Sequence, residues 1–317
     1  MPSPVKPICK GLSFMVILRA LALLPALAAI LFSGAASGDT GRKVVVINSR
    51  HVQPYLHFEE MVLQGLSAPG RPVLRTEVFY ADRDGTDRIG QAALEADLVI
   101  LIGSRACEIF ETLKGRIPVL VTFAVEKTLR HLREKGLKFW AISMEIPLER
   151  RLQVASRLFP GGRAVVFEDQ LPVPGRAGAM EVIRIVPDGR PLMELLKQAL
   201  VKGADLLVIT PDTRVFRSPE LVKYAILWGI RNRMAVMGLS AGYVSNGALL
   251  AVEPDYRALG RQTARTAILI MKKGGVGSEA LIIYPEEEKI SLNLRTARRI
   301  GLSIPDELLE EASLVIE

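Results

Sequence analysis

The chain has 317 residues, 49% of them hydrophobic and 24% charged, enough for two domains with cores of their own and too apolar for a disordered chain. Its formal net charge is +7, but Lys6, Lys10 and Arg19 all precede the first acid, Asp39, so the remainder carries +4. The short basic clusters at 130–135 and 295–299 sit among Glu and Asp without interleaved aromatic residues, which argues against a nucleic-acid groove.

Residues 1–38 read as a secretory signal peptide: a Lys-bearing start, an apolar stretch at 20–32, then small residues from Ser33 to Gly38. Arg19 interrupts that run and Pro25 bends it, leaving a core shorter than the ~20 residues of a spanning helix. Cleavage is expected between Ala36 and Asp39, and no cysteine follows the run to carry a lipid, so the expected product is soluble and periplasmic. Only Cys107 would remain after cleavage; with no intrachain partner, it is expected to be half-buried and structural.

From residue 43 onward, short β-branched runs alternate with amphipathic stretches, the pattern of parallel sheet with crossover helices. Strands are expected at 43–47, 77–80, 98–102, 119–123, 164–167, 182–186, 206–210 and 235–238. The spacing predicts a helix over 147–159, with Leu148, Leu152, Ala155, Leu158 and Phe159 on one face, and two more over 191–201 and 219–232, each opening on a proline. The longest helix is expected at 255–273, ended by Gly274-Gly275. Segment 168–179 stands where a crossover helix of about a dozen residues belongs, but Pro172, Pro174, Gly175 and Gly178 argue that the helix is missing there.

Gly238-Leu239-Ser240-Ala241-Gly242 fits the G-x-S-x-G nucleophile pattern after an expected strand. Its context argues otherwise: 243–247 reads as a turn rather than a helix, and the hydrolase order needs a histidine after the serine, whereas the last histidine is His131. The first strand runs into Asn48-Ser49-Arg50-His51, without a dinucleotide glycine fingerprint, and Gly274-Gly275-Val276-Gly277 lacks the P-loop lysine. His51, His57, His131 and Cys107 show no metal-ligand spacing. No enzyme activity, catalytic residue, cofactor or metal is therefore expected, which leaves binding.

From Asp205 onward the chain resembles the ABC-transporter substrate-binding family whose members take tryptophan or tyrosine. The carrying segments are ADLLVITPDT at 204–213, GALLAVEPDYRALGRQTARTAILIMKKG at 247–274 and ISLNLRTARRIGLSIPDELLEEASLVI at 290–316, with ADLVILIGSRACEIF at 96–110 and IPLERRLQVASRLFP at 146–160 as weaker matches. The chain departs from the family where Ala124-Val125-Glu126 replaces an Asp-Pro, in the turn Pro211-Asp212-Thr213-Arg214, and at 168–179. These departures touch the pocket, so the family's aromatic ligands do not carry over.

The resemblance implies an α/β, two-lobed type I periplasmic-binding fold, parallel sheets with flanking helices and a shortened second lobe. Lobe 1 is expected to comprise 41–143 plus 246–273, and lobe 2 144–245 plus 274–317. Ligands of open α/β sheets bind beyond the carboxyl ends of the strands, and two lobes joined by crossovers close there. That rule selects Asn48, Ser49, Ser104, Arg105, Ala124 to Glu126, Asp212, Thr213 and Ser240, and the motif adds Asp255-Tyr256, although an Asp opening a long helix is equally an N-cap. Backbone amides at Ser104-Arg105 and Ser240-Ala241 are expected to face an anionic end of a small polar, amino-acid-like ligand, with Asp212 meeting an ammonium or hydroxyl group. The implied partner is an ABC permease at the inner membrane; the alternative is a periplasmic sensing module that signals to a membrane receptor or kinase.

Overall fold

A computed structural model describes residues 41–113, 116–168, 173–211, 214–274, 277 and 279–317; the expected signal peptide, Asp212 and Thr213 lie outside the described residues. The chain opens with β1 (Arg42–Asn48), α1 (Tyr55–Leu66), β2 (Leu74–Tyr80), α2 (Thr86–Leu94) and β3 (Leu98–Ile102). A 3-10 segment (Ala106–Leu113), β4 (Val119–Ala124), α3 (Glu126–Glu134) and β5 (Trp140–Ser143) follow. Residues 44–47 of β1, 98–102 of β3 and 119–121 of β4 are fully buried apolar runs, because helices cover both faces of this sheet.

A second series begins with α4 (Leu148–Ser156), β6 (Arg163–Phe167), β7 (Arg176–Ala177), β8 (Met180–Ile185) and α5 (Leu192–Val201). It continues through β9 (Leu206–Val208), α6 (Pro219–Arg231), β10 (Ala235–Gly238), α7 (Ala241–Ser245) and β11 (Leu250–Pro254). The chain closes with α8 (Tyr256–Lys273), β12 (Leu281–Ile283), β13 (Glu288–Asn293), α9 (Leu294–Ile300), α10 (Asp306–Glu311) and β14 (Ala312–Ile316).

Two sheets result, each with a core on both faces. The first runs β12-β5-β4-β3-β1-β2 and is parallel throughout; the second runs β14-β13-β11-β10-β9-β6-β8-β7, antiparallel only at β11–β13 and β7–β8. Between β6 and β8 the described residues carry the two-residue β7 instead of a helix. No described helix is long and apolar enough to cross a membrane.

The chain passes between the sheets three times, at 144–147, at Asp255 and at 284–287, which corrects the expected lobe boundaries. β11 falls inside the block expected for the first lobe, yet residues 248–252 form a buried run, and β11 lies in the second sheet between β10 and β13. β12 was expected in the second lobe, yet it pairs with β5 in the first sheet. α8 does belong to the first lobe. It lies against α1 so closely that a Cβ on Gly260 would stand 2.5 Å from that of Met61, and one on Gly65 2.6 Å from that of Ala264.

One irregularity shapes the top of the first sheet. Phe123 has φ 53, and the register of β4 against β5 shifts between Thr122 and Ala124. Simple alternation would send Phe123 to the face of Val119 and Val121; the bulge turns it to the opposite core, where its ring stacks on Phe58 at 4.6 Å and meets Tyr55 and Tyr256 edge-on. The following residues, Val125 and Glu126, thereby emerge at the cleft wall.

Candidate functional site

Two adjoining cavities lie between the lobes at the carboxyl ends of the strands, and both are walled by Glu145, Ile146, Arg151 and Pro211. The smaller, ≈250 Å³, is mostly apolar and adds Val125 and Tyr256 from one lobe and Leu239, Ser240 and Val252 from the other. The larger, ≈390 Å³, adds Glu126, Glu149, Glu168, Thr210 and Tyr284. Both are of the order of small-ligand pockets, roughly 300–1,000 Å³.

Arg151 stands at their junction. It sits on α4, three residues after Leu148 and next to Leu152, so the helical period puts it on the buried face; only 4% of it is exposed. Its Nη2 donates to the carbonyls of Ile209 at 3.0 Å and Gly238 at 2.9 Å, where β9 and β10 end, while its Nε has no partner. Burial pulls its pKa down to about 10, opposed by Glu145 and Tyr243, so it remains a cation at neutral pH.

Glu145, on the first crossover, accepts the Glu126 amide hydrogen at 2.8 Å and so caps the first turn of α3. Burial raises its carboxyl above the ordinary value; the Glu126 amide opposes this, the Glu126 charge adds to it, and Arg151 and Arg130 work against it. Glu253 does the same for α7, accepting from Ala241 N at 3.1 Å, and burial raises its carboxyl too. Burial, with the charge of Glu253, pushes the Tyr256 hydroxyl up to about 12, and burial and Glu126 raise that of Tyr284.

Of the expected site residues, Glu126 and Ser240 line the cleft, together with Val125 from the Ala124-to-Glu126 stretch. Six others line neither cavity. Asn48 is spent on Glu59 at 2.6 Å and on the Tyr55 carbonyl, tying β1 to α1, and Ser49 Oγ accepts from Ala106 N at 2.9 Å. Ser104 Oγ pairs with Thr128 at 3.0 Å, and Arg105 is exposed. The bulge turns Ala124 into the core, and Asp255 caps α8 and pairs with Lys289. Of the expected anion cradle at Ser240-Ala241, the Ala241 amide is already engaged by Glu253.

The reading of 243–247 as a turn is overturned as well, since α7 follows Ser240 directly and the G-x-S-x-G stretch does join a strand to a helix. The histidines stand elsewhere: His51 packs edge-on against Tyr80, His57 is on α1 and His131 on α3, and the described residues that wall the two cavities containing Ser240 include none of the three. Cys107 is buried rather than half-buried, and burial pushes its thiol up to about 12, which leaves it unreactive. Among the described residues no three His, Cys, Asp or Glu side chains are grouped to hold a metal.

Sequence reasoning missed Glu145, Arg151, Glu168, Thr210 and Tyr284, while Tyr256, which the motif offered beside Asp255, does line the smaller cavity. For Arg151 a signal existed, a charge on the apolar stripe of a predicted helix.

No protein-family model and no curated protein matches this chain. Solved structures do. The ligand-free, open form of a substrate-binding protein with adhesive properties from Clostridium difficile has a TM-score of 0.59 at 17% identity, over 87% of this chain and 99% of that one. An ABC domain in complex with L-Trp from Streptococcus pneumonia has a TM-score of 0.52 at 15% identity, over 87% and 100%. The two αβα lobes, three crossovers and these likenesses together give the chain the type I periplasmic-binding fold, diverged in sequence from the solute-binding proteins that share it.

Proposed function

We propose that the chain is an exported periplasmic binding protein that captures a small polar ligand between its lobes and delivers it to an ABC permease at the inner membrane. The observation that carries this reading is the pair of cavities at the strand ends, walled from both lobes and bordered by the first and third crossovers. Three short crossovers suit hinge closure, in which interactions made from both sides couple ligand affinity to the closed form. The fold likeness supports it, one of those neighbours being a substrate-binding protein and another a complex with L-Trp. The signal-like segment 1–38 supports export, and the absence of a histidine beside Ser240 supports binding without catalysis.

A thermal-shift screen of the purified chain against small polar metabolites tests this, because a ligand held only by the folded state raises the melting temperature. At least one compound is expected to do so, and Ser240→Phe, which fills the cleft wall, is expected to abolish the rise. A panel without a single rise, or a rise indifferent to Ser240→Phe, would refute the cleft. Ligand binding without uptake by any permease encoded alongside would favour the sensing role. Ester turnover lost on Ser240→Ala would restore the hydrolase reading.

A further inference from the structure

The larger cavity is walled by Glu126, Glu145, Glu149 and Glu168, and among the described residues that line it Arg151 is the one cation. Three donors that would suit a ligand carboxylate are engaged: the Glu126 amide holds Glu145, the Ala241 amide holds Glu253, and Arg151 Nη2 holds two backbone carbonyls. An entering carboxylate would meet like charges in a partly desolvated site, where such repulsion is weakly screened.

Two buried polar groups on the same wall have no partner. They are Thr210 Oγ1, in a residue 3% exposed, and Arg151 Nε. Buried polar groups are nearly always satisfied, so an unpartnered hydroxyl and N–H lining one cavity point to a ligand atom that completes them. The hydroxyl donates or accepts and the Nε–H only donates, so an acceptor oxygen suits either, and the carboxylates on the same wall favour an uncharged one. The adjoining cavity offers Val125, Met144, Ile146, Leu239 and Val252 to an apolar portion.

We infer that the cleft takes a small amine lacking a carboxylate, with its ammonium among Glu126, Glu145 and Glu149, an uncharged oxygen at Thr210 and Arg151 Nε, and its apolar portion in the smaller cavity. This rests on the solute-binding reading above and narrows it to a ligand class different from zwitterionic amino acids.

Matched probes separate the charges. Calorimetry of the purified chain with phenylalaninol, phenylalanine and 3-phenyllactate, and with the leucine-derived set for a smaller apolar portion, compares cation, zwitterion and anion on one frame. The amino alcohols are expected to bind at least about tenfold tighter than the amino acids, because the ammonium keeps its charge-assisted hydrogen bond while the repulsion of the carboxylate is avoided. Glu126→Gln and Glu149→Gln together are expected to weaken the alcohols about tenfold or more, and Thr210→Val to weaken them without altering their salt dependence. Amino acids or acids binding as tightly as the alcohols would overturn the inference, as would alcohol affinity unmoved in the double variant. If none of the probes binds while a neutral solute does, blocked by Ser240→Phe, the amine class fails and the solute-binding reading stands. If nothing binds, both fail.

Discussion

The Glu145 carboxylate accepts the Glu126 amide hydrogen at 2.8 Å, so the first turn of α3 in one lobe is capped by the crossover that leads to the other. The capping group is part of the cleft wall, which ties the stability of that turn to the charge state of the site.

That coupling has a direction. Burial raises the Glu145 carboxyl above its ordinary 4.5, so its contribution to stability is full below 4.5 and is lost as pH rises through the higher folded value. Glu145→Gln keeps an acceptor for the Glu126 amide and removes the titration. Relative to the parent, the variant is expected to gain stability between about pH 5 and pH 7.5 in urea unfolding. A difference that stays flat across that range would show that Glu145 titrates as an exposed carboxyl does.

Arg151 holds the ends of β9 and β10 together through Ile209 and Gly238. Arg151→Met removes the donor from two buried carbonyls, and an unsatisfied buried acceptor costs about 1–3 kcal/mol. A loss of that size or larger is expected in denaturant unfolding, and a smaller one for Arg151→Lys, which keeps a charged donor without the planar fork. Equal losses in both variants would mean that packing, not the hydrogen bonds, sets the cost.

Gly238 ends β10 against the ring of α7's Tyr243, and a Cβ there would lie 2.2 Å from the Tyr243 Cβ. Gly238→Ala is expected to cost about 1–3 kcal/mol or more through forced displacement of α7, and to disturb ligand binding because Ser240 sits between the two. Pairing it with Tyr243→Ala should recover part of the loss. No recovery in the double variant would assign the strain elsewhere.

The parts of the fold legible in the sequence are those buried on both faces. β1, β3 and β4 read as unbroken apolar runs because helices cover them on either side, and the helix at 219–232 announces itself by a proline in its first turn. β12 and β14 are short and half-exposed edge strands without alternation, and α7 has only five residues, one of them a glycine. The strand-end rule brought Glu126 and Ser240 to the site but also selected Asn48 and Ser49, because it does not register side chains already spent inside one lobe. The re-aiming of Phe123 depends on a positive φ that no residue pattern encodes.

Asp255 was a candidate for the ligand, and the structure gives it a different task whose consequences can be separated. Its Oδ1 accepts from Arg257 N at 2.8 Å and Ala258 N at 3.0 Å, capping α8 at the second crossover, and its Oδ2 pairs with Lys289 at 3.3 Å. Burial alone would raise its carboxyl, but these amides and Lys289 hold it below the ordinary 3.8, so its contribution to stability is present above 3.8 and fades as pH falls through the lower folded value. The ion pair is part-exposed and worth little, so the cap dominates. Asp255→Ala is expected to cost about 0.5–2 kcal/mol. Asp255→Asn keeps an N-cap acceptor and should lose much less, while ligand affinity stays at the parent value because Asp255 lines neither interlobe cavity. Calorimetry of Asp255→Asn with whichever solute the screen identifies decides it: a tenfold or greater loss of affinity in a variant of near-parent stability would return Asp255 to the binding site.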